Sequence, residues 1–283
     1  MRSTLHDFIG DFLPVLVVYQ CPLSQSLTWR SIIEESKRLG VTFDLMIYDN
    51  SPLAQVPPET SLTLYYRHDQ ANSGVSKAYN EGFKLAVRLQ KKWLLFLDQD
   101  SSFPTGWMEI YSKTVAEANT DQKVIVPIMT SGSKIISPFN YWICLGSSPK
   151  TMTSGIKSLK NHYAINSGLL ISAKSFEKVG GYDELIPLDF SDFAFMHKLK
   201  KLNVPLSVID LRVNHRLSSH QKEENAKAQE RFQLYCLGNK RFIRYTHLSI
   251  VHFIVALFRA LKMGIHFRTF GFIKIFLHTW ATA

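Results

Sequence analysis

The strongest constraint on the fold is an alternation. In the first half of the chain, short apolar runs of strand length alternate with stretches of helical periodicity. Residues 13–19 (LPVLVVY) read as a buried strand, and 26–39 as an amphipathic helix ended by Gly40. Residues 43–48 (FDLMIY) and 62–66 supply two more strands. A helix follows from about residue 73 to 90, with Val75, Ala78, Phe83, Ala86 and Leu89 recurring at helical spacing. Residues 93–97 (WLLFL) and 123–128 are further strands. This order predicts an α/β fold with a mostly parallel central sheet and helices on both faces. Ligands of such sheets bind beyond the carboxyl ends of the strands.

The middle is less regular. Residues 130–160 are rich in Ser, Gly, Pro and Thr and read as loops with short strands. Residues 164–172 (AINSGLLIS) return to strand. Ser175 is placed to cap a short helix that Gly180 and Gly181 end. Residues 189–202 read as a helix and 205–213 as a last strand.

Four strand ends finish in polar residues. The second strand runs into Asp49-Asn50-Ser51, where a carboxylate can accept hydrogen bonds from a base or ribose, or simply make a turn. The third is followed by Asn72-Ser73-Gly74, which opens a helix. Asn or Ser can cap it, Gly74 allows close approach of a ligand, and Lys77 lies in its first turn. A helix start of this kind attracts phosphate. Further along, Gly82 inside the helix suggests close packing. The fourth strand carries the strongest single signal, Asp98-Gln99-Asp100. Two carboxylates one residue apart, directly after five apolar residues, suit Mg²⁺ or Mn²⁺ bridging phosphate oxygens. Later, Asp189 and Asp192 offer carboxylates at a helix start, suited to the helix dipole or to removing a proton from a hydroxyl. The last strand ends at Asn214-His215, a His placed to ligate metal or touch phosphate.

Taken together, LVVYQCP at the first strand, IYDNS, NSGVSKAYNEG, FLDQDS, INSGLLIS, GGYDELIPLDFSDFAFMHKL and NHRLSSH resemble the family-2 glycosyltransferases, which have the GT-A fold. Within that family the chain is most similar to bacterial rhamnosyltransferases of O-antigen and capsule synthesis. The resemblance covers about residues 12–245. It implies a GT-A domain over 1–245, with a nucleotide-binding part at 12–130 and an acceptor-binding part at 131–245. It further implies Tyr19, Asp49, Asn72, Gly74, Lys77, Asp98 and His215 at the nucleotide-diphosphate donor, and Asp98, Asp100 and His215 at a Mg²⁺ or Mn²⁺ ion. Asp192, or Asp189 three residues before it, is implied as the base of an inverting transfer. The expected donor is a thymidine or uridine diphosphate sugar, dTDP-rhamnose first, and the expected acceptor a lipid-linked glycan. Where the family often shows an aromatic residue and an Arg after the catalytic Asp, this chain continues to Lys198, which loses bidentate pairing.

Competing functions leave distinguishable marks. A sugar-phosphate nucleotidyltransferase needs a Gly-rich basic loop after the first strand, where this chain has Tyr19-Gln20-Cys21-Pro22. A catalytically inactive glycan- or membrane-binding subunit would show no metal dependence.

Charge is distributed unevenly. The chain of 283 residues carries a net charge of +10, and after Glu230 there are eight Lys and Arg and no Asp or Glu. Such an end suits an anionic surface. Residues 246–283 read as a basic amphipathic tail, with His252, Arg259 and His266 seven apart on one helix face. It fits the inner leaflet of a membrane, or packing on the catalytic domain or on a partner subunit. The uncharged stretch ending at Arg259 falls short of the roughly 20 apolar residues of a span. No helix-turn-helix, zinc or RNP motif points to nucleic acid. Three scattered cysteines without a CxxC pair fit reduced thiols, and Asp7 and Asp11 stand where a secretory signal would be apolar. The expected location is cytoplasmic, on the inner face of the membrane.

Overall fold

The computed structural model describes residues 2–117, 124–216 and 224–282. Helix α1 (Arg2–Asp11) leads into β1 (Phe12–Val18). Next come α2 (Leu27–Leu39), β2 (Asp44–Asp49), β3 (Thr63–His68), α3 (Val75–Arg88) and β4 (Trp93–Asp98). The middle holds β5 (Ser101–Ser102), α4 (Trp107–Ala116), β6 (Val124–Ser131), β7 (Lys134–Ser137), β8 (Phe139–Trp142) and β9 (Leu145–Ser147). After these come β10 (Gly155–Lys157), β11 (His162–Tyr163), β12 (Leu169–Ser172), α5 (Ala173–Val179), α6 (Ser191–Lys201) and β13 (Leu206–His215). Three helices close the chain: α7 (Asn225–Thr246), α8 (Ser249–Phe267) and α9 (Gly271–Ala281).

The main sheet has the order β10-β13-β6-β12-β4-β1-β2-β3, and β11, β8 and β9 form a small second sheet. Strands β4, β1, β2 and β3 are mutually parallel, as are β6 and β13. Between these groups β12 runs antiparallel to both neighbours. The expected mostly parallel sheet is present, with one reversed strand inside it.

Period-two alternation explains the two cores. Leu13, Val15 and Val17 of β1 face Tyr79, Phe96, Phe176 and Phe195 on one side. Phe12, Leu16 and Val18 face Trp29, Ile32, Trp107 and Tyr111 on the other. Helix α2 is closed as the pattern predicts. Ser26 accepts from the Trp29 N–H, and Gly40 ends the helix at φ 64°. Gly82 lies against β1, where an added Cβ would come within 2.6 Å of Val15 Cγ2.

Two cap expectations are corrected. Gly74 itself precedes α3 at φ 90° and no side chain caps the helix. Ser172, not Ser175, caps α5 by accepting from the Ser175 N–H. The strand expected over 164–172 is confined to Leu169–Ser172. Gly168 sits at φ 79° in a turn before it, pressed against Pro127, so the ladder cannot begin earlier.

The tail forms two helices, α8 and α9, as the expected C-terminal amphipathic helices. Helix α8 is long and apolar enough to cross a membrane, with a mean hydropathy of 1.6, and 17% of that stretch is buried against the rest of the chain. The helix continues through Arg259 with one more charge, Lys262. The face bearing His252 turns inward, with Arg259 exposed at its margin. His252 is fully buried and hydrogen-bonds Asn239 of α7, while the Arg259 guanidinium lies 3.9 Å from the Tyr235 ring centroid. Ala256 and Ala260 complete the contact. The outward face shows Ile250, Ile254, Phe258 and Ile265.

Candidate active site

Strand pairing brings the acidic residues and the histidine together. Strand β4 ends at Asp98, and β5 begins three residues later. The end of β13, still paired with β6 at Asn214, also pairs with β5, placing His215 opposite Ser101. As a result Asp98, Asp100 and His215 each offer a ligand atom within 4.8 Å of the others.

The surroundings fix these groups. The Tyr79 hydroxyl, inside a fully buried side chain, donates to Asp98 Oδ1 at 2.9 Å. Ser167 Oγ accepts from the Asp98 N–H and lies 2.7 Å from Ser101 Oγ, which in turn lies 2.9 Å from His215 Nδ1. Asp100 Oδ1 is buried and has no hydrogen-bond partner, with His215 Nδ1 at 3.3 Å. Burial raises the Asp100 carboxyl to about 6, with His215 opposing and Asp98 adding to the rise. An orphaned buried carboxylate oxygen is expensive unless something completes it. An oxygen-rich set with one imidazole fits a divalent cation such as Mg²⁺ or Mn²⁺.

The donor side is built around the ends of β1 and β2. Asp49 is fully buried. Its carboxylate accepts from the Ser51 N–H at 2.9 Å, the Tyr66 hydroxyl at 2.7 Å and Gln55 Nε2 at 3.1 Å. These donors outweigh burial and hold its pKa below the usual value. Tyr19 is exposed at the mouth, and its N–H donates to Gln99 Oε1 at 2.7 Å, which ties the end of β1 to the acidic turn.

Residues 72–77 pack on the turn before α6. The Val75 N–H donates to Pro187 O at 2.8 Å, and Ser76 Oγ donates to Ile186 O. Gly74 is needed because a Cβ there would lie 2.2 Å from Pro187 O. The start of α3 therefore grips the turn before α6. Lys77 reaches Ser73 Oγ at 3.2 Å and Asp69 at 3.9 Å, and Asn72 is exposed at φ 48°.

Asp192 and Asp189 occupy unlike surroundings. Burial pushes Asp192 up to about 7; a hydrogen bond from the Phe193 N–H opposes this, and Asp189 and Asp98 add to it. Burial also raises Asp189, but Arg231 and Arg259 pull it back down. Asp192 thus shares its field with the metal-site carboxylate, and Asp189 with cations of α7 and α8. Lys198 donates to the carbonyls of Gly180 and Gly181, fastening the end of α5. Residues 217–220 of the NHRLSSH motif lie outside the described residues.

Several partners carry no strand-end signal. Tyr79 stands within an apolar helix face, and Ser101 and Ser167 are single small polar residues. Of these only Ser167 lies on a strand the pattern finds.

Comparisons with known proteins fit this arrangement. No family model matches the chain. A 150-residue stretch is 26% identical to the dTDP-rhamnosyl transferase RfbF of Shigella flexneri, covering 51% of this chain and 49% of that protein. The chain thus spans about half the length of this curated relative. Staphylococcus aureus TarS 1–349 in complex with UDP-GlcNAc superposes with a TM-score of 0.52 at 15% identity, over 81% of this chain and 66% of that one. GalNAc-T7 with UDP, GalNAc and Mn²⁺ gives 0.53 at 14% identity, over 94% and 56%. The fold is that of the GT-A glycosyltransferases. In this fold the Asp98, Asp100 and His215 cluster lies where β4 ends, at the crevice beyond the parallel strands.

Proposed function

We propose that the protein is a metal-dependent inverting glycosyltransferase. It transfers a sugar, rhamnose from dTDP-rhamnose in the first instance, from a nucleotide diphosphate to a hydroxyl of a lipid-linked glycan. The observation that carries this reading is the convergence of Asp98, Asp100 and His215 around an unpartnered buried oxygen. The rhamnosyl donor is supported by the name of the Shigella relative, and the nucleotide and metal by the ligands of the two structural neighbours.

Asp98, Asp100 and His215 would hold Mg²⁺ or Mn²⁺, which supplies positive charge for the departing diphosphate. Tyr79 orients Asp98 by holding one of its oxygens. Tyr19 lines the mouth. Asp49 accepts the imide N–H of a pyrimidine in place of the Gln55 amide that now occupies it. Residues 12–130 take the donor and residues 131–245 the acceptor. Asp192 removes the proton of the attacking hydroxyl, and its raised pKa near 7 keeps it basic enough for that task. Asp189, facing Arg231 and Arg259, is not the base.

The C-terminal helices dock the enzyme on the inner leaflet. Ile250, Ile254, Phe258 and Ile265 face outward on α8, and Phe270 and Leu277 are exposed beside them. Exposed Lys262, Arg268 and Lys274 supply positive charge along the same segment.

The decisive experiment is transfer from dTDP-rhamnose and UDP sugars with Mn²⁺ or EDTA, with Asp100→Asn beside the wild type. Loss of donor binding and transfer in EDTA and in the variant is expected. Full transfer in EDTA refutes the metal-dependent reading.

A further inference from the structure

The turn that delivers Asp192 is held from two sides. From α3 it is gripped through Pro187 and Ile186, as described above. From α7 it is held by close backbone contact. A Cβ on Gly238 would lie 2.3 Å from the Asp189 carbonyl oxygen, so only glycine lets the helix approach this turn.

The next residue is more telling. Phe190 has φ 71°, a left-handed conformation that a bulky side chain rarely adopts. Such a conformation persists only where the surroundings over-determine it. Here the Phe190 ring packs 5.2 Å from Tyr235 and 5.7 Å from Phe242 of α7, centroid to centroid. Tyr235 is covered in turn by the Arg259 guanidinium of α8 at 3.9 Å. Asp189 Oδ2, beside them, is buried without a hydrogen-bond partner.

We propose that Gly238, Phe190 and Arg259 are positioning residues for the transfer reaction, seating the 189–190 turn so that Asp192 faces the Asp98 end of the sheet. The proposal rests on the reading of Asp192 as the base. It gives α8 two jobs on two faces. The outward apolar face meets a surface, and the inward face completes the acceptor side of the active site. Without Arg259, the Asp189 carboxylate loses one of the two cations that compensate it, Arg231 remaining, and the Tyr235 platform loses its cover. The strained Phe190 is then free to leave its left-handed conformation.

The test uses the full chain carrying Arg259→Met, Arg259→Lys or Gly238→Ala. Amide hydrogen exchange is followed at residues 188–195 and, as an internal reference, at residues 44–49. In Arg259→Met and Gly238→Ala, exchange at 188–195 is expected to speed up at least about tenfold while the reference is unchanged. Transfer kcat should fall by about 10²-fold, the order expected for a misplacement near 1 Å. Affinity for UDP with Mn²⁺ should stay within about twofold. Arg259→Lys, which keeps the cation over Tyr235, should restore most of both readouts. If Gly238→Ala fails to fold, the Arg259 pair alone decides. Wild-type exchange at 188–195 in Arg259→Met overturns the proposal, whatever sugar the enzyme transfers. A loosened turn with unchanged kcat also overturns it. If Asp192→Asn then keeps full kcat as well, the error lies in the choice of base.

Discussion

Asp192→Asn should make the protein more stable and nearly inactive, and the stability gain should depend on pH. Burial, with Asp189 and Asp98 adding to it, holds the Asp192 carboxyl at about 7. An unfolded aspartate titrates at about 3.9. Between these values the folded chain binds a proton that the unfolded chain releases, so stability falls as pH rises from about 4 to about 7. The shift of about three units corresponds to an upper bound of roughly 4 kcal/mol. Asp192 keeps some contact with solvent, so screening reduces this to about 1–2 kcal/mol. For a chain of this size that is a rise of roughly 2–8 °C in Tm. Asparagine keeps the shape and removes the charge. Melting curves in EDTA should therefore place the variant above the wild type at pH 8 and close to it at pH 5. In parallel, kcat should fall by about 10²–10⁴-fold. Wild-type kcat/KM, measured at saturating Mn²⁺, should rise with pH through about 7, because only the ionised carboxylate is a base. Melting temperatures of the two proteins that run together from pH 5 to pH 8 would refute this account of Asp192.

Three further outcomes are expected. Tyr79→Phe removes the hydroxyl that holds Asp98, and should weaken Mn²⁺ affinity by about 10–100-fold in a metal titration of the folded variant. Gly82→Ala forces a methyl to within 2.6 Å of Val15 Cγ2 and should cost about 1–3 kcal/mol in urea unfolding. Replacing Lys262, Arg268 and Lys274 together by Ala should reduce co-sedimentation with anionic vesicles, at low salt most of all, while transfer to a short soluble acceptor stays unchanged. Arg259 is left out of that set because it covers Tyr235.

The parallel half of the fold was legible because fully buried strands make continuous apolar runs, as in LPVLVVY and WLLFL. The acidic turn after β4 and the histidine ending β13 were legible for the same reason, since polar residues stand out where such runs stop. Helix α4 was not, because only ten residues carry its pattern and one of its four buried positions, Ser112, is polar. The packing partner of residues 72–77 was not legible. A glycine at a helix start serves a phosphate or a neighbouring backbone equally well, and only the position of Pro187 decides between them. Arg259 shares heptad spacing with His252 and His266, which defines a face but not what the face meets.

The reversed strand β12 has a consequence for where variation can be tolerated. Its neighbours bring their last residues to the crevice, but β12 brings its first. The Gly168 N–H donates to Phe96 O, Ser167 Oγ accepts from the Asp98 N–H, and Asn166 joins the Tyr182 hydroxyl to Ser191. One short turn thus touches both the segment that ends in Asp98 and the helix that starts beside Asp192. Lengthening it by a single residue would shift these two carboxylates relative to each other without altering either, whereas the far end of β12 runs straight into α5 through the Ser172 cap.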